Sequence, residues 1–172
     1  MPAIENLKRV RYFTGQTLSS QDLRDEQNYF LGRMRRHNRY LHGWGVVHGL
    51  AVRMVGEGEI EVSPGMAIDC AGNEVVLSMA MRATIPPSTV KLYVTITYCE
   101  SETDPVPVIS GDPEYTRTLE GATLAFSDAN PGRLHHGMGP RTSGCGLCHA
   151  VSLAALTRHG GGWRIQRRRH GA

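Results

Sequence analysis

Between Leu23 and Leu41 a seam-like residue returns every three or four positions, and this spacing constrains the fold more than any other feature of the chain. Leu23, Phe30 and His37 share one heptad position; Gln27, Met34 and Leu41 share the other. Side chains at that spacing line one face of an α-helix, and here they draw a coiled-coil seam over nearly three heptads. Leu23, Phe30, Met34 and Leu41 are apolar, whereas Gln27 and His37 are not. One reading is an amphipathic helix lying on its own domain. The other is a helix that meets copies of itself. Polar residues inside a seam fix register and oligomer number at a cost in stability, which favours the second.

The rod predicted over residues 20–42 has definite ends. Ser19 or Ser20 can cap it, with Asp22, Asp25 and Glu26 in the early turns. Arg33, Arg35, Arg36, His37 and Arg39 crowd its second half, an order of charge that suits the helix dipole. Gly43 and Gly45 stop it, with Trp44 at the hinge.

A chain of 172 residues is long enough for one real core. Its formal net charge of +3 is small and does not suggest a nucleic-acid protein, although Arg167 to His170 form a short basic run. The first residues are charged and hold no apolar run of signal-peptide length, and no stretch approaches a membrane span. The expectation is assembly in the cytoplasm, with no secretory signal peptide. In that compartment the four cysteines are thiols or metal ligands rather than disulfides.

After the helix the period changes from helical to alternating. Lys8 to Phe13 reads as a short edge strand before it, with a turn at Gly15-Gln16. Val46 to Met54 is a strand broken at Gly49; Ile60 and Val62 alternate with Glu59 and Glu61 as in a half-buried strand. Pro64-Gly65 turns the chain, and Ala71-Gly72-Asn73 marks a hairpin whose return runs from Val75 to Met79. Val90 to Tyr98 carries β-branched and aromatic residues at nearly every position, the strongest strand signal in the chain. Cys99 to Asp112 reads as a loop, because Pro105 and Pro107 cannot donate to a ladder. A strand around Ala122 to Phe126 follows, then irregular chain over about 127–148, a strand at His149 to Thr157 and a last one at Trp163 to Gln166. The expected fold is mainly β with one long N-terminal α-helix: about eight short strands in a β-sandwich or barrel-like domain. The division is residues 1–43 for the oligomerisation helix and 44–172 for the β-domain.

Cys145-Gly146-Leu147-Cys148-His149 spells the haem-attachment signature, but such attachment takes place outside the cytoplasm. A zinc knuckle is the better functional reading. Two thiolates two residues apart can grip one zinc, and a closed structural site needs four ligands. Cys99 and His149 are the first candidates to complete it, with Cys70, His135 and His136 behind them. Two unliganded thiols in a loop remain the plainer alternative. Asp69, Glu74, Glu100, Glu102 and Asp104 sit near strand ends and could act as general acids, though no spacing selects a pair. No catalytic or nucleotide-binding motif is present, so no catalytic residue is expected.

The run from Tyr12 to Val52, followed by VSPGMAIDCAGNEVVL, resembles proteins encoded with phage-tail-like particles, including contractile injection systems. A helix leading to GVVHGLAV and then to VSPGMA is similar to the opening of baseplate and tail-fibre proteins. VSLAALTRHGGGWRIQRRR looks like their closing hairpin. The resemblance implies a structural or adaptor subunit, commonly a homotrimer, with no enzyme activity. The helix would then lie at the oligomer axis. Its partners would be itself and other structural proteins of the particle, in baseplate, spike or fibre attachment. A zinc-binding interaction module is the alternative function.

Overall fold

The computed structural model describes residues 7–87, 91–131 and 150–167, the side chain of Arg167 excepted. The fold is mainly β, with one helical rod among the elements described, at its N-terminal side. That rod is α1, Ser20–His37, continued without a break by a π-helical turn, Asn38–His42. Ser19 caps it in an extended conformation. Asp22 N donates to Ser19 Oγ at 3.2 Å, and Ser19 N donates back to the Asp22 carboxylate at 2.8 Å. This reciprocal box satisfies two backbone donors that a helix start leaves orphaned. The hydrogen bonds from Ser19 hold the Asp22 carboxyl below its ordinary value. At the far end Gly43 takes a φ of 76°, which a residue with a Cβ rarely adopts, and its N–H closes on Asn38 O.

Lys8 to Phe13 is not a strand. It runs irregularly beside α1, where Tyr12 Oη donates to the Glu26 carboxylate and a turn at Thr14-Gly15 leads into the cap. The helix, not a sheet edge, is what this segment lies against.

Ten strands are present among the described residues, all paired antiparallel in three sheets. One joins β1 (Gly45–Gly49), β4 (Gly65–Ile68) and β5 (Glu74–Leu77). The second joins β2 (Val52–Gly56), β3 (Glu59–Val62) and β6 (Met81–Thr84). The third, in the order β10-β9-β7-β8, comprises β7 (Leu92–Val106), β8 (Glu114–Ser127), β9 (Val151–His159) and β10 (Gly162–Arg167). Strand β6 escapes the sequence reading because Met-Arg-Ala-Thr is short and weakly patterned.

All three sheets point side chains into one core. Val75 comes from the first, Ile60 and Val62 from the second, Val94, Ile96, Val151 and Leu156 from the third, and each is essentially sealed from solvent. Full burial of such a side chain contributes roughly 1.5–3 kcal/mol, so this shared core supplies the main favourable term of the body.

The two glycine-bearing motifs of the sequence meet in space. Gly49 and Gly65 are cross-strand partners in the β1–β4 ladder. A Cβ on Gly65 would stand 2.3 Å from His48 O, and one on Gly49 would stand 2.1 Å from Pro64 O. Only glycine at both positions lets these backbones approach so closely. Leu50 then turns its side chain into the core from a φ of 53°.

Strands β7 and β8 pair from Tyr93 with Ser127 out to Val106 with Glu114, but β9 flanks β7 only from Leu92 to Ile96. Past Ile96 the pair runs on, among the described residues, as a two-stranded ribbon. The loop expected over residues 99–112 is therefore strand as far as Val106. Pro105 is tolerated because among the described residues β7 has a single neighbour there, the edge-strand setting in which sheets accommodate proline.

Candidate interaction surface

No residue of α1 is buried. The stripe read from the sequence stands in solvent along its whole length: Leu23 is 51% exposed, Phe30 53%, Met34 53% and Leu41 70%. Gln27 and His37, the polar members of the seam, are exposed beside them. The described residues of the chain's own domain leave this stripe largely uncovered. The N-terminal segment occupies a different side of the helix. There Asp22, Asp25, Tyr29 and Arg36 face residues 7–11 and Gln16 across an open groove of about 620 Å³.

The helix is held at its C-terminal end. Asn38 is buried, and its Nδ2 donates to Gly72 O at 3.1 Å and to Glu74 Oε1 at 3.2 Å. Gly72, in the β4–β5 hairpin, comes so close that a Cβ there would lie 2.1 Å from Arg35 O, and its φ is +92°. Arg35 reaches Glu100 at 3.4 Å and lies over the Tyr98 ring at 6.0 Å from its centre. Tyr98 Oη is within 2.7 Å of Glu100 and 3.0 Å of Glu120. Burial, then hydrogen bonding to Glu100 and Glu120, pushes the Tyr98 phenol well above its ordinary range. A small cavity of about 180 Å³ opens here, lined by Leu31, Met34, Asn38, Glu74, Tyr98 and Glu120. The clamp joins the seam to the sheet, since Met34 belongs to both.

Sequence reasoning missed Asn38 and Gly72 as anchors. The available signals were local: an asparagine among arginines near a helix end, and a glycine in a hairpin. Neither says that the two meet.

At the helix end, His37 and His42 bring their Nε2 atoms to 3.2 Å, with ring centres 5.0 Å apart and planes tilted by 59°. Both rings are exposed.

Of the zinc candidates, Cys99 lies exposed on β7, its Sγ 3.4 Å from Thr123 Oγ1. Cys145, Cys148 and His149 lie outside the described residues, as do His135 and His136. Among the described residues, no three side chains of His, Cys, Asp or Glu come together as a metal site. Asp69 is fully buried, and it ties a turn. Its carboxylate accepts from Ala71 N at 2.8 Å, Asn73 N at 2.9 Å and Asn73 Nδ2 at 2.7 Å.

The chain is similar over 94% of its length to the crystal structure of TssK, with a TM-score of 0.55 and 14% identity. It is also similar over 95% of its length to a chain of the type VI secretion system TssK-TssF-TssG baseplate subcomplex, with a TM-score of 0.55 and 11% identity. The fold is one found in type VI secretion baseplate proteins. This chain spans 41% of the first of those chains and 61% of the second. No family model and no curated protein matches the sequence. Among the described residues no helix is long and apolar enough to cross a membrane.

Proposed function

We propose that this chain is a structural or adaptor subunit of the baseplate of a phage-tail-like contractile injection particle. It acts by protein–protein contact and not by catalysis. Copies associate through the stripe Leu23, Gln27, Phe30, Met34, His37 and Leu41 as a homotrimer with α1 at the axis. Residues 1–43 hold the copies together. Residues 44–172, a sandwich or barrel-like body, meet neighbouring particle proteins, and assembly takes place in the cytoplasm.

The observation that carries this reading is a heptad stripe left in solvent beside a three-sheet core that is itself sealed. Roughly 1.5–3 kcal/mol for each of Leu23, Phe30, Met34 and Leu41 is available once sister copies cover them. The similarity of fold to TssK supports the choice of particle. Light scattering on the eluted protein at micromolar concentration tests the association. A mass of three chains is expected, and a single-chain mass refutes it. Co-purification with sheath, tube and spike proteins of the same particle tests the placement.

A further inference from the structure

We propose that His37 and His42 form the two-histidine half of a divalent transition-metal site, of the zinc and nickel class, which other copies of this chain complete. The argument begins with the π-turn. A π-helix closes its hydrogen bonds over five residues, which brings positions five apart onto one side of the turn. His37 and His42 are so spaced, and their Nε2 atoms lie within hydrogen-bond distance of each other, a contact that an ion bound by both nitrogens would replace. With metal–nitrogen bonds of about 2.0–2.1 Å, nitrogens 3.2 Å apart subtend about 100° at a shared ion, between the octahedral and tetrahedral angles. Imidazole suits zinc, nickel and copper. Both rings are open to solvent, so nothing blocks the approach of an ion or of further ligands.

One chain supplies too few ligands. No third His, Cys, Asp or Glu joins the pair among the described residues. Arg33, Arg35, Arg36 and Arg39 neighbour the pair in sequence, and a net positive helix end opposes a dication, so two imidazoles hold it weakly. His37 is, however, a seam residue. Copies that meet along the seam bring their His37 rings together, each with His42 at its side, and the ligand number rises to four or six. The polar residue in the stripe thereby acquires a chemical role as well as a registering one. This inference rests on the self-association proposed above.

The test uses the full chain stripped with EDTA and titrated with Co²⁺, then with Zn²⁺, alongside His37→Ala/His42→Ala and Phe30→Asp. Wild type is expected to take one ion per oligomer, with weak visible d–d absorption that zinc abolishes. His37→Ala/His42→Ala should lose that ion, at least tenfold in affinity, yet stay oligomeric without metal, because Leu23, Phe30, Met34 and Leu41 remain. Phe30→Asp should be a single chain and bind Co²⁺ at least tenfold more weakly. Equal Co²⁺ binding by wild type and His37→Ala/His42→Ala overturns the site while leaving the association intact. So does strong near-ultraviolet thiolate absorption that is indifferent to the two histidines, which would assign the ion to cysteines. A wild type that is a single chain overturns the association first, and the completed site with it.

Discussion

Ile96 of β7 and Phe30 of α1 are both large apolar residues placed at the period of their element, yet Ile96 is sealed from solvent and Phe30 has about half its surface in it. The β-body turns its alternating side chains inward from three sheets onto one core. The helix turns an equally regular stripe outward and, among the described residues, meets the body over its C-terminal part, where Arg35 and Asn38 anchor it and Leu31 and Met34 line a small cavity. Periodicity states which side chains share a face. It does not state what that face meets. A face that the chain leaves uncovered has to be covered by something else or remain a costly apolar surface.

The contrast breaks first if a charge in the stripe does nothing. Leu23→Asp with Phe30→Asp places uncompensated carboxylates at a seam, a cost of several kcal/mol for each buried charge. The expected result is a fall to single-chain mass. Wild-type thermal midpoints should rise with protein concentration, and those of the double variant should not. An unchanged mass would mean that the stripe faces something other than its sisters.

Truncation in the body has a different signature. Ile96→Ala removes buried volume from the common core and should cost about 2–5 kcal/mol. The loss appears at every concentration, while the dependence of the midpoint on concentration survives. Chemical denaturation at two protein concentrations separates this from the seam variant. An Ile96→Ala protein that lost its oligomer but kept its chain stability would show that body and helix are not independent.

Much of this division could be read before any coordinates. The rod over 20–42, a cap at Ser19 or Ser20, the stop at Gly43 and the hairpin at 71–73 all follow from local chemistry, and the structure takes Ser19 for the cap. The misreadings share one cause. Pro105 and Pro107 make Cys99 to Asp112 read as a loop, but a ribbon with one described neighbour has an edge to spare for a proline. Lys8 to Phe13 looks like a strand by composition and has a helix beside it instead. The stripe was legible as a stripe, whereas its exposure was not, because exposure depends on where the sheets end. The clamp at Asn38 and Gly72 joins residues 34 apart in sequence, and no pattern in either segment names the other.

That clamp fixes how the helix leaves the body, so disturbing it should have a smaller effect. Gly72→Ala sets a Cβ against the Arg35 carbonyl and forces a left-handed backbone on alanine. Strain of this kind costs about 1–3 kcal/mol. The chain should remain folded, with the hairpin and the last helical turn parted. Hydrogen exchange should accelerate at Arg35 to His42 and at Asp69 to Glu74, and not at Val94 or Leu156. Uniform acceleration would mean that the helix end is part of the core after all.

The smallest effect is expected on the outer face of the second sheet, at Glu61. The alternation of Ile60 and Val62 with glutamates puts this side chain in solvent, yet it is buried. Arg53 donates to its Oε1 from one neighbouring strand, and Arg82 donates to Oε2 at 3.0 Å from the other. The long arginine stems do the covering, which strand alternation cannot foretell. Hydrogen bonds from Arg53 first, then Arg82, hold the Glu61 carboxyl below its ordinary value of 4.5. A carboxyl lowered by folding stabilises the folded chain at pH values above the unfolded pKa. That contribution drains away as pH falls below 4.5 and through the lowered value. Glu61→Gln lacks the charge at every pH. Urea melts from pH 7 to pH 3 should therefore show wild type ahead by a constant margin down to about pH 5, then converging on the variant. Parallel curves throughout would mean that the two arginines shield Glu61 without stabilising its charge, and the outer face of the body would then be as energetically idle as its sequence suggests.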